Sequence, residues 1–339
     1  MTHNDSRAVG IWLLLVAALI FAMVVVGGVT RLTRSGLSIV EWNPVMGAIP
    51  PLTEPQWLDE FGKYQQTPEY QQVNRAMTLG GFKRIFYVEW AHRLLGRLIG
   101  LAFLLPLIYF AVRRRIDRPL THKLIGIFIL GGLQGALGWF MVKSGLVDVP
   151  RVSPYRLTAH LALAVAIYAY LLWTALTLLK PQPPHAAPDP LRRLGWGVTT
   201  LIAVTILAGG FVAGTKAGFA FNTWPLMYGQ LTPPGLMALQ PWWTNLFENI
   251  ATVQFDHRML AYAVLIAVAI YSWIGLRQSA LRPTQLAFAL LPVAVLVQVV
   301  LGITTLLKYV PVGLGAAHQG GALVVLTVAL YLNHAMRRG

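Results

Sequence analysis

The chain has 339 residues, of which 56% are hydrophobic and only 12% charged, and its mean hydropathy is +0.60. A soluble domain carries about twice that share of charge, so an ordinary water-soluble fold is excluded. The net charge of +15 would suit nucleic acid if the cations formed a face, but they fall in short clusters between apolar runs, the pattern of membrane topology signals.

Eight apolar stretches are long enough to cross a bilayer, which takes roughly 20 residues per helix. They cover residues 10–30, 85–112, 121–142, 155–179, 194–214, 250–276, 284–307 and 313–335. The N-terminus, MTHNDSR, lacks the Arg- and Ser-rich character of an organelle transit peptide, which favours a bacterial cytoplasmic membrane. Arg7 precedes the first span; Arg113, Arg114, Arg115, Arg118 and Lys123 follow the second. Lys180, Arg192 and Arg193 flank the connection after the fourth, Arg277 and Arg282 follow the sixth, and Arg337 and Arg338 the eighth. These cations put both termini and every even-to-odd connection in the cytoplasm. Segments 31–84 and 215–248 then lie outside; their Trp, Pro and Gly suit ordered loops at an interfacial aromatic belt, the expected place of Trp42, Trp57, Tyr64 and Tyr70. The Pro-rich run PQPPHAAPDP at 181–190 is not expected to be helical and splits the chain. The expected organisation is an N-terminal half at 1–180, a cytoplasmic linker at 181–193 and a C-terminal half at 194–339.

The halves repeat one another. At an offset of 182, Gly27, Gly28, Thr33, Arg34, Gly36 and Trp42 match Gly209, Gly210, Thr215, Lys216, Gly218 and Trp224. VEWAHR in the second span matches VQFDHR in the sixth, pairing His92 with His257. QGALG aligns with QVVLG, and RLTAHLALAV with GAAHQGGALV, which pairs His160 with His318. The fold class expected is therefore all-α and polytopic: eight transmembrane helices as two pseudo-symmetric four-helix bundles.

His3, His122, His185 and His334 fall in tails, loops or span ends, where solvation suffices. The other four lie inside spans two, four, six and eight, at similar expected depth below the outer face. An ionisable group inside a bilayer is costly and usually marks function. No cysteine is present, so disulfides, iron–sulfur clusters and thiol chemistry are excluded. Lone histidines about sixty residues apart do not suit a zinc or copper site, which gathers ligands closely. They suit a flat macrocycle held between helices by axial imidazoles, with His92, His160, His257 and His318 as ligands of haem iron. Four residues after each stands a small one (Gly96, Ala164, Ala261, Ala322), on the same helix face. Arg93, Arg97, Arg156 and Arg258 lie nearby and suit either haem propionates or lipid phosphates.

The informative break in the repeat is Glu89 against Gln254. Glu89 precedes His92 by three and shares its face, where a carboxylate can accept a proton or stabilise developing positive charge; a salt bridge to Arg93 or Arg97 is the competing reading. Gln254 cannot titrate. Chemistry is thus expected in the N-terminal half and electron relay by a permanent haem in the other.

The runs GGVTRLTRSGLSIVEWNPVMGAIPP, YVEWAHRLLGR, QGALGWFMVKSGL, AFNTWPLM, FENIATVQFDHR, LGITTLL and the AHQ of the last span resemble the haem A synthase family over about residues 11–335. The resemblance implies a membrane oxidoreductase that converts the C8 methyl group of haem O to the formyl group of haem A for aa3-type oxidases. It implies haem O at His92 and His160, with Arg93 and Arg97 beside it, a haem b cofactor at His257 and His318 beside Arg258, and Glu89 as catalytic residue. The cysteine-lacking subgroup is the one resembled. Contact with haem O synthase and cytochrome oxidase assembly factors is implied, a homo-oligomer is compatible, and no nucleic-acid partner is expected. Two other readings of the residues remain open here: a di-haem cytochrome b-type electron carrier, and a haem transporter or chaperone.

Overall fold

The computed structural model describes residues 2–43, 46–146, 151–180, 188–278 and 282–337. In chain order its helices are α1 (His3–Leu32), α2 (Glu54–Gln65), α3 (Pro68–Gln72), α4 (Leu79–Val112), α5 (Arg118–Gly145), α6 (Pro154–Leu179), α7 (Asp189–Thr215), α8 (Asn245–Glu248), α9 (Ile250–Gln278), α10 (Arg282–Leu307) and α11 (Val312–Ala335). Eight of these, all but α2, α3 and α8, are long and apolar enough to cross a membrane. With no water in the hydrocarbon core, each backbone N–H and C=O must be met within its own helix. The helices start where caps allow: Thr2, Thr78 and Asp117 each accept a backbone N–H of the following turn.

The neighbours repeat. In the first half α1 touches α4, α4 touches α5, α5 touches α6 and α6 returns to α1; in the second the same ring runs α7, α9, α10, α11. The halves meet where α1 lies on α11 and α6 lies on α7 and α11. Small residues permit these crossings. A Cβ at Gly28 would stand 2.5 Å from Gln319 Oε1 on α11, and one at Gly214 would stand 2.6 Å from the Pro154 backbone. The core is apolar and continuous through both halves, with Trp12 donating its indole N–H to Ala102 O at 2.8 Å. The turn that leaves α1 and the one that leaves α7 both take a left-handed residue, Arg34 (φ 54°) and Lys216 (φ 60°), positions already matched by the sequence repeat.

Three expectations change. The aromatics of 31–84 divide: Trp42 is exposed, whereas Trp57 and Tyr64 are buried with Phe82 and Phe86 in a second core built by α2, α3 and the start of α4. Aromatic area is best hidden against other rings, and a loop long enough to form two helices can do that. The expected linker at 181–193 is too long, because Asp189 and Pro190 already form the first turn of α7, where proline is well tolerated; residues 181–187, His185 included, lie outside the described residues. His334 is not solvated. It is 1% exposed, near Thr177 Oγ1 (3.2 Å) and Arg337 Nη1 (2.8 Å), and packs edge-on against Trp173.

Candidate functional site

The four interior histidines sit on α4 (His92), α6 (His160), α9 (His257) and α11 (His318). Each ring is seated against a glycine of a neighbouring helix. A Cβ would lie 3.4 Å from His92 Nε2 at Gly27, 3.0 Å from His160 Cε1 at Gly138, 3.2 Å from His257 Cε1 at Gly209 and 2.8 Å from His318 Cε1 at Gly302. Ordinary carbon contacts begin at about 3.5 Å, so even a methyl group crowds most of these seats. Two glutamines complete the seating. Gln134 Nε2 donates to His160 O (3.0 Å) and lies 3.3 Å from its ring Nε2; Gln298 Nε2 donates to His318 O (2.8 Å) and lies 3.1 Å from its ring Nδ1. These glycines and glutamines stand in the aligned repeat motifs, but sequence alone showed no contact with the rings.

In the second half the rings of His257 and His318 meet edge-on, centroids 6.4 Å apart and planes at 86°. Two imidazoles on opposite sides of one metal would have centres about 6 Å apart, from bonds of about 2.0 Å and about 1.1 Å from nitrogen to ring centre. By this spacing the two imidazoles could hold one iron between them, were a haem bound. His160 Nδ1 and His257 Nδ1 are buried without a hydrogen-bond partner, as nitrogens awaiting a ligand would be. Of the small residues expected to clear a haem face, Gly96 faces Met23 Cε, 3.4 Å from its Cβ position, and Ala164 packs on the apolar core.

Glu89 is 2% exposed and accepts five hydrogen bonds. Oε2 takes Ser38 N (2.7 Å), Ser38 Oγ (2.7 Å) and Ile39 N (2.9 Å); Oε1 takes Arg93 Nη2 (2.6 Å) and Nε (3.1 Å). Hydrogen bonds to charged groups contribute about 1.5–3 kcal/mol each, and such a set offsets the desolvation of a buried carboxylate. The ion pair with Arg93 therefore forms, while Arg97 instead donates to Asn43 O (2.9 Å). Arg93 also binds Ile39 O (2.9 Å) and Glu41 O (3.1 Å), so the carboxylate and guanidinium together pin the strap after α1 onto α4.

Gln254 does the same task with opposite polarity. Its Nε2 donates to Ala217 O (2.8 Å) and Ala220 O (2.5 Å), at the positions matching Ser35 and Ser38, and its Oε1 accepts from Arg258 Nη2 (3.1 Å). Arg258 Nη2 donates to Phe221 O (2.8 Å) as Arg93 does to Ile39 O. A carboxylate can only accept, so it binds strap N–H groups; an amide can also donate, so it binds strap carbonyls.

Beside Arg93 a cavity of about 190 Å³ is lined by Val40, Trp42, Trp139, Val142, Lys143 and Leu146. Arg93 lies over Trp42 and Lys143 over Trp139. Arg156 stacks on Phe140 at 4.5 Å. Outside the spans, burial and then the charge of Glu89 push the Glu69 carboxyl up to about 7.

A family model for cytochrome oxidase assembly proteins matches residues 10–330. The chain is 54% identical to a heme A synthase of Nitrosospira multiformis, covering 98% of this chain and 94% of that protein. It is 50% identical to one of Parvibaculum lavamentivorans (99% and 96%) and 48% identical to the heme A synthase COX15 of Arabidopsis thaliana (98% and 75%). The match spans both halves, all four interior histidines and Glu89, and the chain belongs to the cytochrome oxidase assembly protein family.

Proposed function

We propose that this chain is a haem A synthase, a membrane oxidoreductase that takes haem O as substrate and returns haem A. The observation that carries the reading is the doubled histidine seat, set in a chain about half identical to heme A synthases over nearly its whole length. In this reading the protein is two four-helix halves in a bacterial inner membrane, with both termini cytoplasmic and the haem sites toward the outer face. The cation clusters after α4, α6, α9 and α11 support that orientation. His257 and His318 hold haem b, whose iron would carry electrons; His92 and His160 hold the substrate.

Glu89 is the catalytic carboxylate of the proposed site. Its five donors hold it at one rotamer, on the face of α4 that carries His92. With Arg93 matching its charge at rest, the carboxylate end of this fixed pair favours positive charge developing at a substrate carbon, and needs no reorganisation to do so. That role suits the geometry better than proton acceptance, for which Oε1 or Oε2 would first have to release a donor. Arg93 then positions Glu89 and the strap, and Arg97 the start of the following loop. Handover of haem O from its synthase, and of haem A to assembly factors, belongs to the same proposal.

The test is co-expression with a haem O source, followed by pigment extraction and mass spectrometry. Hydroxylated and formyl haems are expected from the native chain and only haem O from Glu89→Gln. Unmodified haem alone from well-folded native protein would rule the enzyme out and leave an electron carrier or transporter.

A further inference from the structure

The two arginines that follow the α4 and α9 histidines are equivalent in the repeat but differ in what they have left to offer. Arg93 gives Nε and Nη2 to Glu89, Nη2 also to Ile39 O, and Nη1 to Glu41 O. Its charge is matched and its fork is occupied. Arg258 gives only Nη2, to Gln254 Oε1 and Phe221 O, and its Nε and Nη1 are buried without partners. Among the described residues Arg258 makes no ion pair. A guanidinium whose Nε and Nη1 are buried without partners is a costly arrangement unless an anion takes one of them. The two lie on different edges of the plane and Nη2 is already spent, so a carboxylate would take one nitrogen, with a charge-assisted hydrogen bond.

We propose that the Glu89/Gln254 difference sets how long each half keeps its haem, by deciding whether the neighbouring arginine is offered to a haem carboxylate. Gln254 leaves Arg258 free, so the second half clamps a propionate and retains its haem. Glu89 consumes Arg93, so the first half grips its haem through the histidines without that clamp, and lets product go. A substrate site must release what it has changed, whereas a cofactor site must not. The inference rests on the division into a substrate half and a cofactor half proposed above, and adds a device that enforces it.

The experiment follows haem leaving the purified, haem-loaded full-length protein for excess apomyoglobin, read from the Soret band. The native protein is expected to show a fast and a slow phase, with the fast phase absent in His92→Ala and the slow phase absent in His257→Ala. Arg258→Lys keeps the charge but loses the fixed planar donor, and should speed the slow phase by about tenfold to a hundredfold, the span of one charged hydrogen bond. Glu89→Gln frees Arg93 and should slow the fast phase by at least about tenfold. General damage to the fold speeds haem loss, so a slowed phase cannot arise from misfolding. If the phases assign to the two halves but neither variant moves its phase, the clamp is refuted while the two-site reading stands. If His257→Ala keeps both phases, the two-site reading falls and this inference with it.

Discussion

Replacing Gly302, Gly138, Gly209 and Gly27 by alanine, one at a time, tests the histidine seats as a graded series. The added methyl would stand 2.8, 3.0, 3.2 and 3.4 Å from the respective ring. Against a contact minimum of about 3.5 Å, the ring must yield by roughly 0.7 Å at Gly302 and almost nothing at Gly27. Overpacking of this kind costs about 1–3 kcal/mol, and the strain falls on the ring proposed to ligate iron. Alanine meanwhile favours the helix by up to about 1 kcal/mol, so the helices themselves are not weakened. Gly302→Ala should therefore lose haem affinity by about fivefold to a hundredfold with little change in thermal midpoint. Gly138→Ala and Gly209→Ala should lose less, and Gly27→Ala least. Haem per chain after purification, the Soret and α-band positions and the melting curve are the readouts. Full haem content and an unshifted spectrum in Gly302→Ala, or a loss that does not follow the order of the distances, would refute the reasoning.

Ser38→Ala removes one of the three strap donors to Glu89 Oε2 and leaves both N–H groups, so conversion of haem O should slow by about tenfold while haem binding persists, as time-resolved pigment analysis would show. Gly275→Ala drives a methyl into the ring of Phe288, which is fully buried against Tyr271; it should lower stability by 1–3 kcal/mol or more, roughly, without a primary effect on haem spectra, and equal melting would contradict it. Glu69→Gln should depend on pH. The folded carboxyl is raised from 4.5 to about 7, so the folded state holds its proton more tightly than the unfolded chain. Stability is then lost as pH rises from about 4.5 to about 7, by up to about 3 kcal/mol. The amide should match the native protein near pH 4.5 and melt higher at pH 8, and an equal gain at both pH values would exclude burial of the charge as its cause.

Much was decided along the chain. Spanning helices need only about twenty apolar residues, a local property, so all eight stood at their places in the sequence, with ends shifted by a few residues. The repeat was legible because it rests on rare residues, Trp and His, and the matched left-handed turns at Arg34 and Lys216 follow it. The place of the four histidines inside spanning helices was legible because a polar ring stands out within an apolar run. What surrounds them was not. The glycine seats on α1, α5, α7 and α10, and the two glutamines, touch rings on other helices, and no local pattern says which face of one helix meets which face of the next. The same holds for Trp57 and Tyr64, whose burial depends on α2 and α3 folding back onto α4.

The Glu89/Gln254 difference shows the boundary most clearly. One side chain titrates and the other does not, which is read from the residue names alone. That Glu89 is saturated by Ser38, Ile39 and Arg93, while Gln254 leaves Nε and Nη1 of Arg258 unmet, was decided only when the straps after α1 and α7 folded onto α4 and α9. Hydrogen-bond partners some fifty residues apart in one strap and under forty in the other are chosen by tertiary packing, because a buried donor or acceptor must take whatever the neighbouring backbone presents.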